Sequence, residues 1–250
     1  MTKWSGQAPG PGRANVNTES DSSGITPTAE PAIARHEQET ATDKPSEDMA
    51  LAQLKRGDIT AEALALLARN TDIAKSRKVM LALAMHPRTP RHISLPLLRR
   101  LFTFDLMQVT LTPAVAADIK RTAEDQILLR SESLGAGEKI SLAKRASGRV
   151  AAALLHQADE RVISPALDNA QLTEAMVVQA LMKPRAPEIL FALVSEHRKW
   201  PFRREVQIAL LRSEKTPLER AQELAKNFPE EFLRETLPEA RAQELTNRQL

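Results

Sequence analysis

Residues 201–213 read PFRREVQIALLRS, and Phe202, Val206, Ala209 and Leu210 fall there at i, i+4, i+7 and i+8. That spacing puts four apolar side chains on one stripe of an α-helix and leaves the charged groups on its other faces. Outward from this stretch the pattern recurs. Residues 187–197 carry it through Ile189, Leu190, Leu193, Val194 and His197, and residues 172–182 through Leu172, Met176, Val177 and Ala180. No stretch alternates apolar and polar residues over a strand's length, and no Asn-Gly or Asp-Gly turn links two such runs. The sequence predicts an all-α fold.

The boundaries between these helices also recur. Thr89-Pro90, Thr112-Pro113 and Thr216-Pro217 each offer a hydroxyl that can cap a helix start, followed by a proline suited to the first helical position. Thr216 with Glu219 has the spacing of a capping box. Asp58 or Thr60, Asp159 and Thr173 offer similar caps, while Pro165 should leave the helix at residues 160–168 very short, kinked or restarted. Ala82-Leu83, Ala166-Leu167 and Ala209-Leu210 are each followed by a threonine seven residues after the alanine. These frames lie 84 and 43 residues apart, which suggests a unit of about 42 residues built from two short helices. Such a pair cannot bury its apolar faces alone and must stack on its neighbours.

Residues 81–90, LALAMHPRTP, and 160–173, ERVISPALDNAQLT, resemble the turns of HEAT-like and leucine-rich-repeat-variant proteins, "ALA-x-[NH]-P-x-[TL]-[TP]" in outline. The resemblance covers about residues 75–230, most clearly 148–220, and implies an α-solenoid with a binding role and no reaction. Asn169 departs from the pattern, because Ala170 follows it where a proline is usual. The cysteine cluster that precedes some variant repeats is absent, so no iron–sulfur function carries over. Some HEAT-like proteins process damaged DNA bases in aromatic-rich clefts, which this chain matches poorly.

Its 250 residues contain six Phe, two Trp, no Tyr and no Cys. A core must then come mainly from Leu, Ala, Val, Ile and Met, and disulfides, thiol catalysis and Cys-ligated metals are excluded. Residues 1–47 are rich in Gly, Pro, Ser, Thr and acidic groups and are predicted to stay disordered. Residues 48–250 are predicted to form the helical-repeat domain. The first 50 residues carry a net charge of −4 and the rest +7, so an acidic tail precedes a basic body. No apolar run approaches bilayer length, and MTKWSGQAPGPGRANV lacks the apolar core of a secretory signal. The expectation is a soluble, cytoplasmic protein that does not engage membranes.

Chemistry-bearing patterns are few. The histidines are His36, His86, His92, His156 and His197, with no His-Glu-x-x-His among them. His86, His156 and His197 fall near expected helix C-termini, where a partly positive ring suits the helix dipole. No Gly-x-Ser-x-Gly or Walker-type loop occurs, and Gly135-Ala136-Gly137 reads as a helix–helix turn. No enzyme activity, metal or cofactor is expected. Phe102-Thr103-Phe104-Asp105-Leu106-Met107 reads as buried core of the helix opened near Thr89-Pro90, Ser94 or Leu95. Lys144-Arg145-Ala146-Ser147-Gly148-Arg149 bridges two short helices and holds a basic-residue context that some kinases accept at Ser147.

One cluster stands out as a candidate surface: Arg198, Lys199, Trp200, Arg203 and Arg204 around a helix–helix corner. Basic groups beside an aromatic ring can hold phosphates or an acidic partner and stack on bases. Equally, Trp200 can pack between helices while the Arg and Lys stems cover its rim. A protein is the expected partner and nucleic acid the alternative. In residues 230–250, Arg234, Glu235, Glu239, Arg241 and Glu244 could supply the polar outer face of a terminal repeat.

Overall fold

Short helices need help from their ends and from their neighbours, because a helix of under about 12 residues is marginal alone in water. The computed structural model describes residues 46–246, and the expectations for the tail (His36 included) and for residues 247–250 lie outside them. Among the described residues there are fifteen α-helices and no strand. They are α1 (Glu47–Leu54), α2 (Ala61–Arg69), α3 (Arg77–Met85), α4 (Arg91–Arg100), α5 (Thr103–Leu111) and α6 (Ala117–Arg130). Then follow α7 (Ala136–Arg145), α8 (Gly148–Leu154), α9 (Glu160–Leu167), α10 (Glu174–Leu181) and α11 (Glu188–Glu196). Last come α12 (Arg204–Arg212), α13 (Leu218–Ala225), α14 (Glu230–Thr236) and α15 (Glu239–Thr246). Two 3-10 turns, Ser131–Ser133 and Trp200–Phe202, lie between α6 and α7 and between α11 and α12. No described helix is long and apolar enough to cross a membrane.

Five helices start on a side-chain cap. Ser46, Thr60, Ser76, Asp159 and Thr173 accept from the backbone N–H groups of Met49, Ala63, Val79, Arg161 and Met176. The Thr-Pro pairs work differently from the expectation. Pro90 and Pro217 themselves occupy the cap position with extended backbone and no side-chain bond, which leaves Thr89 and Thr216 one residue outside the helix. The capping box of Thr216 and Glu219 therefore does not form. Thr112-Pro113 starts no helix, since Thr112 ends α5 and its hydroxyl donates to the Gln108 carbonyl at 2.8 Å.

The two displaced threonines differ in a testable way. Thr216 donates from Oγ1 to the Leu210 carbonyl at 2.6 Å, whereas the buried Thr89 Oγ1 has no partner among the described residues. A lost hydrogen bond costs about 1 kcal/mol, and an unpaired buried hydroxyl costs at least as much to keep. Thr216→Val should therefore lower the urea midpoint and Thr89→Val should raise it.

Prolines also sit inside helices. Pro165 is the sixth residue of α9 and Pro96 the sixth of α4. Each removes one N–H and frees the carbonyl four residues back, at Arg161 and His92, both on exposed residues where water can take it. The helix α9 is eight residues long and runs through Pro165 without restarting there.

The apolar faces meet in one continuous cluster that runs from Ala50 in α1 to Leu245 in α15. Every substantial helix–helix contact among the described residues joins helices one or two places apart in the chain. Thus α4 packs on α6, α6 on α8, α8 on α10 and α10 on α12, while α7 packs on α9 and α9 on α11. Alternate helices start 21 to 33 residues apart. The Ala-Leu frames lie in α3, α9 and α12, so about 42 residues span three helices, not two. With most helices only seven to ten residues long, a pair with its turns is much shorter than the 42-residue unit.

Side chains tie each unit to the next. Arg130 donates to the carbonyls of Arg99 and Leu101 at the end of α4, and the buried Asn169 amide to Ala143 and Ala146 at the end of α7. Trp200 donates to Leu167 at the end of α9, Lys215 to Pro184 and Ala186 after α10, and Arg241 to Leu211 and Ser213 at the end of α12. These bonds reach 23 to 33 residues along the chain; those of Lys215 satisfy loop carbonyls and the others satisfy carbonyls that a helix C-terminus leaves open. Arg241 is thus buried, contrary to its expected place on a polar outer face, because those carbonyls and Glu244 draw it inward. Arg234, Glu235, Glu239 and Glu244 do lie exposed.

The aromatic stretch at 102–107 opens a helix of its own instead of extending α4. Asp105 accepts from the Phe102 N–H and forms a two-pronged ion pair with Arg77 at 2.7 and 2.8 Å, which starts α5 at Thr103. Phe102 ends up exposed, with the Arg77 guanidinium 4.9 Å from its ring centre, while Leu106 goes into the core.

Candidate interaction surface

The corner between α11 and α12 is built around one indole. Pro201 follows Trp200 directly and its fixed φ supports the 3-10 turn Trp200–Phe202. Trp200 is 1 % exposed, and its Nε1 donates to the Leu167 carbonyl at 2.9 Å. Gln207 braces the same turn by donating to the Pro201 carbonyl at 2.6 Å. An indole enclosed in this way holds two helix ends together, and its face is not offered to a ligand.

The four basic candidates are all exposed and take different directions from that corner. The Lys199 ammonium lies 4.0 Å from the Trp200 ring centre, which joins a cation to the π face. Arg198 and His197 both reach Asp168 Oδ1 at 3.3 Å. Arg204 turns the other way, 5.3 Å and 5.7 Å from the rings of Phe232 and Phe228, which stack on each other at 5.1 Å. The Arg203 side chain is exposed and has no partner among the described residues. The structure therefore sets Lys199 on Trp200, sends Arg198 to Asp168 and sends Arg204 to the Phe228–Phe232 pair.

Phe202 was expected in the buried stripe with Val206. It is 79 % exposed, because α12 starts only at Arg204 and a helical wheel begun at Pro201 assigns it the wrong face. Val206, Ala209 and Leu210 are buried as the stripe requires.

Phe202 stands at the mouth of a cleft of about 350 Å³ between the corner and α13, lined also by His197, Arg198, Pro201, Arg220 and Leu224. An adjoining hollow of about 600 Å³ shares Glu196, Arg220 and Glu223 and continues to Leu218. Arg220 spans the junction, 3.8 Å from Glu196 and 2.8 Å from Glu223. Glu196, Glu223, Arg198 and Arg220 share the cleft with Phe202 and Leu224, and Glu219 lines the adjoining hollow.

The helix-end histidines lie where the sequence predicts them, and at His156 and His197 burial disfavours the charged ring instead of favouring it. His197 closes α11 with Nδ1 accepting from the Lys199 N–H at 3.1 Å, so Nε2 carries the proton toward Asp168. His86 accepts in the same way from the Arg88 N–H after α3. Burial lowers the pKa of His197 despite Asp168, and burial with the nearby Lys183 charge lowers that of His156, whose Nε2 is an unpartnered buried atom. Both folded pKa values thus lie below the unfolded value of about 6.5, so the unfolded chain binds protons first on acidification. Their contribution to stability is complete above that pH and is lost as pH falls below it. The urea midpoint should drop between pH 7.5 and 5.5, and His156→Leu should flatten that dependence.

The first basic cluster is already engaged in part. Ser147 donates to Glu124 at 2.6 Å, and Arg149 pairs with Glu124 and Asp125 at 3.3 and 2.7 Å, which ties α8 to α6. Lys144 and Arg145 are exposed. Among the described residues no three His, Asp or Glu side chains gather as a metal site. Comparison of the chain with protein-family models, with curated proteins and with solved structures yields no match.

Proposed function

We propose that this chain is a non-enzymatic, cytoplasmic helical-repeat scaffold that binds another protein, its short helices stacking pair upon pair as an α-solenoid. The observation that carries the reading is the reach of the tertiary contacts. Helices meet neighbours one or two places away, and the polar ties at helix ends run 23 to 33 residues. A chain built this way gains surface with every pair instead of enclosing one central site, which suits binding along its length. The resemblance of residues 81–90 and 160–173 to HEAT-like and leucine-rich-repeat-variant turns belongs to the same proposal. So does a role for Arg198, Lys199, Arg203 and Arg204 at the partner surface, with Trp200 holding their corner in place.

The test is affinity capture with the full chain as bait, from extract treated with nuclease, followed by binding of the purified candidate. A protein that survives nuclease and binds the pure chain supports the reading. Capture that disappears entirely with nuclease contradicts it.

A second reading, nucleic-acid binding, is favoured by the four exposed basic side chains at one corner. Affinity for duplex and single-stranded oligonucleotides should then fall steeply with salt, by an amount set by the phosphates neutralised. Absence of binding near physiological salt removes this reading.

A further inference from the structure

We infer that the Trp200–Phe202 corner and the start of α13 form one self-complementary surface on which a second copy of this chain docks about a two-fold axis. Phe202 of each copy enters the other's hollow at Leu218, and Arg203 of each meets the other's Glu219. The inference goes beyond the scaffold reading, because it concerns the chain's contact with itself, and either can fail alone.

The first support is apolar. Phe202 is 79 % exposed and Leu218 42 %. One scattered apolar side chain at the surface is ordinary. These two line adjoining hollows of about 350 and 600 Å³, whose walls share Glu196, Arg220 and Glu223. A projecting ring and a hollow lined by Pro217 and Leu218 therefore lie side by side on one face. The turn that carries Phe202 is held by the buried Trp200 and by the Gln207 bond, so little ordering is needed when it docks.

The second support is the order of the charges. Arg203, next to Phe202, is exposed, and its side chain has no partner among the described residues. Glu219, next to Leu218, is exposed and takes no ion pair among the described residues. The nearby Arg220 feels its charge but is shared between Glu196 and Glu223. Each apolar contact thus has an unpaired charge beside it, positive at the projecting end and negative at the hollow. A two-fold interface brings residue i of one copy to residue j of the other and j to i, so it needs two complementary halves side by side. Turned about an axis between them, these halves give two Phe202–Leu218 contacts and two Arg203–Glu219 pairs, the latter of the geometry that guanidinium and carboxylate favour.

The mixed charge of the groove speaks against occupants of a single sign. An acidic segment or a phosphate backbone meets Glu196 and Glu223 in the cleft itself, and a uniformly basic segment meets Arg198 there and Arg203 beside Phe202. A fitting occupant carries an apolar knob, a basic group next to it and an acidic patch adjoining, which is what this surface itself presents. One corner and two hollows make a small interface, and small interfaces associate weakly and reversibly.

The test is sedimentation of the full chain over a micromolar concentration series. The native chain should pass reversibly from monomer to dimer. Phe202→Ser, Arg203→Glu and Glu219→Arg, all on exposed side chains, should each weaken the dimer roughly tenfold or more and leave the thermal melt of the dilute monomer unchanged. The decisive arm mixes the Arg203→Glu and Glu219→Arg variants. Each alone sets like charges against each other at both pairs, whereas the mixed dimer has opposite charges at both, so the mixture should associate as the native chain does. The double variant Arg203→Glu/Glu219→Arg should also recover. A native chain that stays monomeric throughout overturns the inference and leaves the scaffold reading intact, as does a dimer indifferent to Phe202→Ser. Weakened single variants that do not recover on mixing overturn it as well. So does a foreign protein whose binding depends on Phe202 while the chain remains monomeric, since the surface then belongs to that partner.

Discussion

Trp200→Ala should destabilise the chain by about 3–5 kcal/mol, the range for emptying the site of a large buried aromatic. The indole is enclosed, and around it the structure converges from several directions: the Leu167 carbonyl on Nε1, the Lys199 ammonium on the ring face and His197 at 6.1 Å between ring centres. Removing the ring opens a cavity and leaves the Leu167 carbonyl without its donor at the end of α9. Trp200→Phe separates the two effects. It keeps much of the volume and loses the N–H, so it should cost about 1–3 kcal/mol. Urea denaturation of the two variants beside the native chain measures both. Equal stability of Trp200→Ala and native protein would show that the corner is not packed as described.

Gly148→Ala should be nearly as damaging for a change of one methyl group. A Cβ at 148 would fall on the Gln171 carbonyl oxygen, with the Gln171 carbonyl carbon at 3.0 Å and Met176 Sδ at 3.1 Å. Met176 is flexible and can move. The Gln171 backbone cannot, because its N–H is held by the Asn169 side chain at 2.7 Å and Asn169 is itself anchored to Ala143 and Ala146. Overpacking against fixed backbone belongs at the upper end of the usual range, about 3 kcal/mol. Gly57→Ala is the control, with nothing within 4 Å of the added carbon. Its effect should stay within about 0.5 kcal/mol. Thermal melts of the pair provide the comparison, and similar losses in both would remove the close approach of α8 to Gln171.

Both substitutions act on the same turn. Residues 167–172 receive the indole of Trp200, the Arg198 and His197 contacts at Asp168, and the backbone of α8 at Gly148, and they send Asn169 to the end of α7. Sequence reading marked Asn169 as a departure from a repeat turn, since proline does not follow it. Its bonds to the end of α7 are not legible in sequence, because the acceptors, Ala143 and Ala146, lie 26 and 23 residues away.

What could be read in advance was whatever depends on spacing along one helix. Val206, Ala209 and Leu210 are buried, and Thr60, Asp159 and Thr173 cap their helices. The Ala-Leu spacing does not mark a two-helix unit, because Ala82, Ala166 and Ala209 lie in α3, α9 and α12, with three helices to about every 42 residues, and an Ala-Leu pair fits the buried face of many short helices. Proline misled in another way. In Pro90 and Pro217 the ring occupies the cap itself, so the neighbouring threonine hydroxyl is free to bond elsewhere or not at all.

At the candidate surface the sequence identified the corner and left the function of its aromatic ring open. Two aromatics lie within three residues, and nothing in WPF states which one turns inward. The bond from Nε1 to Leu167, 33 residues back, decides it for Trp200, and the late start of α12 leaves Phe202 outside. Arg204 was grouped with Arg203 by adjacency, but its partners Phe228 and Phe232 belong to a later part of the chain.

The central claim is that stability passes only between adjoining helix pairs, and amide hydrogen exchange on the full chain carrying Trp200→Ala tests it most directly. Stacked repeats confine a lesion to its surroundings, whereas a single cooperative core spreads it everywhere. Protection should fall across α9 to α13 and remain at native values across α3 to α5. Equal loss of protection in α3, α5 and α11 would contradict the account.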